Sequence, residues 1–189
     1  SLGEIHYKEK NYDNTILNLQ KALKIDPNYL GVNYSLANTY LNKGDIKNAL
    51  KFFNKELKIN PNDHNSLYGL GEIERLNNNV EAAIVFYKKS IQIKDTKLAY
   101  LQISKVLQAN ASYDEAKEYL ERALKIYPND YLLNLNLSNI LASMGQEEEA
   151  FLKSLKALDI FSLEYKKNYE LDDENYRNIF NNLEINTAL

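Results

Sequence analysis

Two histidines, His6 and His64, and no cysteine are present in the chain. Thiolate nucleophiles, disulfides and cysteine-ligated metals are therefore excluded together. No histidine has a second one a helical turn away, the spacing that puts two imidazoles on one metal. A phosphate-cradling glycine loop and a Gly-x-Ser-x-Gly elbow are both missing from the sequence. The carboxylates that cluster do so as the contiguous runs Glu147-Glu148-Glu149 and Asp172-Asp173-Glu174. Paired-carboxylate catalysis needs two groups facing each other across a substrate, and these runs have no spaced partner. Both lie near expected helix starts, where negative charge suits the helix dipole. His6 takes a site usually held by an aromatic ring, and His64 follows Pro61-Asn62-Asp63 at an expected helix start, so one reads as a packed ring and the other as surface. The expectation is a non-catalytic protein with no cofactor, no metal and no small-molecule substrate.

With catalysis set aside, the elements carry the information. The 189 residues are 44% hydrophobic and 26% charged, a globular balance. Three prolines and six glycines are too few for an all-β chain of many tight turns. A net charge of -3 argues against a duplex-binding surface, which carries a basic excess. The sequence holds no run of eighteen apolar residues to span a membrane, and its start shows no charged segment followed by an apolar one of the kind a signal peptide has. A cytoplasmic setting and a piece cut from a longer protein are expected. The 26 asparagines accompany abundant Lys, Ile and Tyr, all with A/T-rich codons. That composition makes the sequons at Asn33, Asn110 and Asn136 near-chance matches.

Internal similarity sets the architecture. Ala22-Leu-Lys-Ile-Asp-Pro27, Glu56-Leu-Lys-Ile-Asn-Pro61, Ser90-Ile-Gln-Ile-Lys-Asp95, Ala123-Leu-Lys-Ile-Tyr-Pro128 and Ala157-Leu-Asp-Ile-Phe-Ser162 recur at steps of 34, 34, 33 and 34 residues. A fixed period of this size means one supersecondary unit stacked on its copies. Within a unit the apolar spacing is helical: Val32, Leu36 and Tyr40, then Ile46, Ala49, Leu50, Phe53 and Leu57 after the Gly44-Asp45 break. Asp45 is placed to cap the second helix. Small residues recur at two matching sites, Ala37, Gly71, Ser104 and Ser138 on first helices and Ala49, Ala83, Ala116 and Ala150 on second ones, where antiparallel helices approach closely.

Leu2-Gly3, Tyr7, Tyr12, Ala22 and Pro27, then Leu36-Ala37, Tyr40, Gly44, Ala49, Phe53 and Pro61, with their counterparts in three later registers, resemble the tetratricopeptide repeat pattern over residues 1–162. Asp95 and Ser162 stand where proline is usual, Thr15 where alanine is, and Ser154 where an aromatic is. The resemblance implies an all-α, right-handed superhelical solenoid of antiparallel helix pairs, eleven or twelve helices in all. The units are 1–29 (truncated, keeping the end of its first helix), 30–63, 64–96, 97–130 and 131–162. A capping helix or helices then occupies 163–189 and carries Tyr176, Ile179, Phe180 and Leu183.

The resemblance also implies a concave groove lined by first helices, holding a peptide or partner segment. Carried over residue by residue, its positions are Tyr34, Tyr68, Leu101 and Leu135, then Asn38, Glu72, Lys105 and Asn139, then Leu41 and Arg75. Tyr34, Tyr68, Leu101 and Leu135 form an expected exposed apolar stripe. Asn38 and Asn139 offer both a donor and an acceptor to a peptide backbone. The subclass that clamps a C-terminal carboxylate uses Lys, Asn and Arg, whereas the matching sites here are Tyr34, Asn38, Gly69, Leu98 and Gln102, so that use is not expected. The reading is a protein–protein interaction scaffold. Its alternative is a regulatory array of an enzyme whose catalytic domain lies elsewhere. Filling of the groove by the chain's own helices competes with peptide binding, and nucleic acid is not an expected partner at this charge.

Overall fold

The computed structural model describes residues 2–168, with side chains from 11 to 167. Nine α-helices and no strand occur among the described residues: α1 (Leu2–Ile25), α2 (Val32–Lys43), α3 (Ile46–Ile59), α4 (His64–Leu76), α5 (Val80–Ile93), α6 (Lys97–Ala109), α7 (Tyr113–Ile126), α8 (Tyr131–Ser143) and α9 (Glu147–Asn168). Consecutive helices pack pairwise, α2 on α3, α4 on α5 and α8 on α9. The chain forms two compact units, residues 1–112 with α1 to α6 and residues 113–189 with α7 to α9. The division falls between α6 and α7, inside the expected unit 97–130.

Punctuation in the sequence explains most helix ends. Pro27, Pro61 and Pro128 follow α1, α3 and α7, where a residue without an N–H cannot continue the ladder. The turns inside the pairs α2–α3, α4–α5 and α8–α9 pass through a left-handed residue, Gly44 (φ 83°), Asn78 (60°) and Gly145 (76°), and Ala111 (56°) after α6 has the same conformation. Asp45 caps α3 as expected, its carboxylate accepting the Asn48 N–H at 3.1 Å. Asp63 and Asp130, each third in a Pro-Asn-Asp triplet, cap α4 and α8 in the same way at 2.9 and 3.0 Å.

Close approach at the small residues is visible directly. Ala37, Ala49, Ala83 and Ala116 are fully buried, and the Ser138 hydroxyl donates to the Ala150 carbonyl at 2.7 Å, joining the two small sites of one pair. A methyl on Gly71 would come within 2.7 Å of the Tyr87 ring. In the first unit these contacts surround a core of Leu36, Phe52, Phe53, Leu70 and Ile73.

Two expectations about helix boundaries differ from what is seen. The first unit is one unbroken helix, because the place that Gly44 holds in the next unit is Lys10, which has no preference for the left-handed turn. At the other end α9 runs through Ser162 to Asn168, past the boundary expected between 162 and 163. Serine in place of proline removes the stop. The same substitution at Asp95 has no such effect, since α5 ends at Ile93 and Lys94 is extended. Tyr176, Ile179, Phe180 and Leu183, expected to form a cap, lie outside the described residues.

Candidate functional site

The helical period puts Tyr34, Asn38 and Leu41 on one face of α2, and His64, Asn65, Tyr68 and Glu72 on one face of α4. Between these faces is a cleft of about 380 Å³, which also meets Leu98 of α6 and, at its floor, Phe53 of α3. Five of the expected groove residues therefore come together: Tyr34, Asn38, Leu41, Tyr68 and Glu72. Arg75 and Lys105 line a separate depression of about 320 Å³ with Asn78 and Gln102. Leu135 (41% exposed) and Asn139 are exposed on α8, in the other compact unit. Leu101 requires a correction: it is 7% exposed, a core residue, because α6 also buries Ala99, Tyr100, Ile103 and Val106 and so leaves little of its circumference free. His64 also differs from its expected surface role. It is half-buried at the start of α4 and lines the cleft.

The cleft has an aromatic base. Tyr34 lies tilted against Phe53 with centroids 6.2 Å apart, and Tyr68 against Tyr87 at 5.6 Å. Phe53 reaches this place because residue 69 is glycine; a methyl there would run into its ring. Burial raises the pKa of Tyr34, with Asp63 adding to it. Burial and the Glu72 carboxylate hold Tyr68 and Tyr87 far above the ordinary tyrosine range. All three phenols are thus neutral donors at physiological pH. Burial also lowers the pKa of His64, with help from Lys94.

Charge in the cleft is largely internal. Glu72 accepts the Tyr87 hydroxyl on one oxygen and the Arg75 guanidinium on the other, at 2.9 Å from Nη2 and 3.3 Å from Nε. Glu72 and Arg75 form an ion pair with each other, while Lys105 has no ion pair among the described residues. The Asn38 and Asn65 side chains are exposed and make no hydrogen bond among the described residues, which leaves both amides available.

One residue that supports the cleft was not foreseen. Glu56 is 1% exposed, and its two carboxylate oxygens accept the Gly31 N–H at 2.8 Å and the Tyr34 N–H at 3.4 Å. The Pro-Asn-Asp triplet that caps α4 and α8 has become Pro27-Asn28-Tyr29 before α2, and Gly31 supplies no side-chain cap. A carboxylate from α3 takes over, and the helix dipole favours its charge. The matching place in the next unit holds Ser90, whose hydroxyl donates to the His64 carbonyl at 2.8 Å. In both units a polar residue where alanine is usual ties the second helix to the start of the first. The signal was available in the aligned series Ala22, Glu56, Ser90, Ala123 and Ala157.

Among the described residues no group of His, Asp and Glu is placed to hold a metal, and no helix is long and apolar enough to cross a membrane.

Comparison with known proteins agrees with the helical-repeat fold. No curated protein matches the sequence. Among solved structures, a crystal structure of MamA superposes with a TM-score of 0.73 at 23% identity, covering 88% of this chain and 98% of that one. MamA from Desulfovibrio magneticus RS-1 (41-end) superposes at 0.61 with 20% identity, over 68% and 73%. YrrB, described as a TPR protein with an unusual peptide-binding site, superposes at 0.67 with 20% identity, over 75% and 74%. These likenesses concern the fold. Two family models described as tetratricopeptide repeat match the sequence, one over residues 6–70 and 107–150 and the other over 64–97. The chain belongs to the tetratricopeptide repeat family.

Proposed function

We propose that the chain is a non-catalytic protein-interaction scaffold that holds an extended peptide in the cleft between α2 and α4. The observation that carries this reading is the pairing of free backbone-type binders with an apolar floor: the unbonded Asn38 and Asn65 amides border the half-buried Tyr34 and Tyr68 rings. An amide that donates and accepts grips any peptide backbone, and a rigid aromatic floor receives one side chain at low entropic cost. The neutral phenols and the Glu72–Arg75 pair leave little net charge there, which favours an apolar or aromatic ligand side chain over a charged one. The peptide-binding site named for YrrB supports the same use of the fold.

The test uses Tyr34→Ala and Asn38→Ala, each measured for stability and for affinity to peptides selected on the intact chain. Loss of Tyr34 as a central anchor is expected to cost about 2 kcal/mol of binding or more. Asn38→Ala is expected to weaken all selected peptides alike without reordering them. If both variants lose stability and neither loses affinity beyond its unfolded fraction, the cleft is structural and the reading fails.

A further inference from the structure

We propose that a second cleft, between the C-terminal ends of α1 and α3, binds a carboxylate-bearing peptide segment, an acidic side chain next to an aliphatic one, from a separate protein. It has a volume of about 360 Å³, and its wall includes Asn33, Lys55, Lys58, Leu23, Pro27 and Ile59. None of these lines the α2–α4 cleft.

Asn33 is the first observation. Its residue is 2% exposed, it lines the cleft, and its side chain makes no hydrogen bond among the described residues. The repeat supplies an internal control, since the same position holds Leu67, Tyr100 and Asn134 in the later units. Leu67 is buried, so the packing accepts a hydrocarbon here. The other polar occupants each make a bond within the protein, Tyr100 to Asp95 and the Asn134 Nδ2 to the Asp130 carbonyl at 2.8 Å, with the Asn134 Oδ1 left buried without a partner. An amide at the wall of a cleft with no internal partner has its N–H groups available to a bound acceptor.

Charge is the second observation. Lys47, Lys51, Lys55 and Lys58 are all exposed on α3, whose one carboxylate, Glu56, is turned inward onto the start of α2. Lys58 in the last turn suits the dipole at the end of its own helix, and Lys55, a turn earlier, holds its ammonium over the Phe52 ring at 5.1 Å while staying exposed to solvent. The period puts Lys21 and Lys24 of α1 in register with Lys55 and Lys58. Asp26, in the loop after α1, has its carboxylate on the Asn28 N–H at 2.9 Å. The basic character is regional: residues 1–112 hold 15 Lys and Arg against 11 Asp and Glu, a net +4, inside a chain of net -3. Leu23, Pro27 and Ile59 complete the wall with hydrocarbon, which selects an aliphatic neighbour for the bound carboxylate.

The test measures binding of a labelled peptide with a Glu-Glu-Leu core to the intact chain, against its Gln-Gln-Leu counterpart. Inorganic phosphate serves as a competitor. The glutamate peptide is expected to bind about tenfold or more tightly than the glutamine one, with salt weakening it. Asn33→Leu is expected to melt no lower than the parent, as Leu67 implies, while losing several-fold in affinity. Lys55→Glu with Lys58→Glu, both on the surface, is expected to abolish the preference without altering the fold. Equal binding of the two peptides, or variants that bind like the parent, would overturn the proposal. Displacement of the peptide by equimolar phosphate would reduce the site to a plain anion site. Sedimentation showing a self-association that the lysine reversals dissolve would make a second copy the occupant in place of a separate partner.

Discussion

At the scale of single residues, the side chains that matter most here are polar ones in places the repeat usually gives to alanine or leucine. Removing Glu56 would leave the part-buried Gly31 and Tyr34 N–H groups without this acceptor. Glu56→Ala is therefore expected to cost about 1–3 kcal/mol, seen as a lower denaturant midpoint, with Glu56→Gln restoring part of it because an amide oxygen still accepts. An unchanged midpoint for both variants would show that Gly31 and Tyr34 find other partners. His64 gives a pH signature. Its folded pKa lies below the ordinary value, so the unfolded chain takes up a proton first as pH falls. The stability tied to a neutral His64 is thus present above about pH 6.5 and is lost as pH falls from there through the lower folded value. Urea melts across this range, compared with His64→Gln, should show the slope in the parent and lose it in the variant. Glu56 was legible as an oddity in the aligned series, but its partner was not, because nothing in a one-dimensional alignment says that residue 56 meets residue 31.

At the scale of elements, the helices follow from period and punctuation, and the stored strain follows from one turn. Ala111, after α6, holds the left-handed conformation that Gly44 and Gly145 hold within the α2–α3 and α8–α9 pairs. A β-carbon costs energy there, so Ala111→Gly is expected to stabilise the chain by about 0.5–1 kcal/mol after the extra backbone entropy of glycine is counted. Thermal melting checks it, and a lower midpoint would refute the strain argument. Ala83 is fully buried between α5 and its neighbours. Enlarging it to leucine is expected to overpack the pair at a cost of about 1–3 kcal/mol, read from denaturant unfolding. The helix ends the sequence reading missed are those where no strong signal exists. Lys10 and Ser162 permit a helix without demanding one, so neighbouring packing decides whether it continues.

At the scale of the whole molecule, the same motif repeated with drift produces surfaces of unlike character. Residues 113–189 carry 8 Lys and Arg against 15 Asp and Glu, a net -7, where residues 1–112 carry +4. Such an asymmetry acts on association rates and solubility more than on the fold. The fold itself predicts a far-ultraviolet circular dichroism spectrum dominated by helix with no strand component. A spectrum with substantial strand would contradict the architecture.

The period of 33 to 34 residues, the small residues at crossings and the proline stops by themselves determined the helix pairs, because local backbone rules and a repeated packing problem admit one solution. The face that carries Tyr34, Asn38, Tyr68 and Glu72 was supplied by the resemblance to the tetratricopeptide pattern, laid onto that register. Tertiary structure decided what each of those residues is free to do. Burial removed Leu101 from the expected stripe, and Arg75 with Tyr87 engaged the Glu72 carboxylate. Asn33 was left without a partner in a place where Leu67 fits. Exposure and hydrogen-bond partnership depend on which atoms arrive from distant parts of the chain, and only the folded packing specifies those distances.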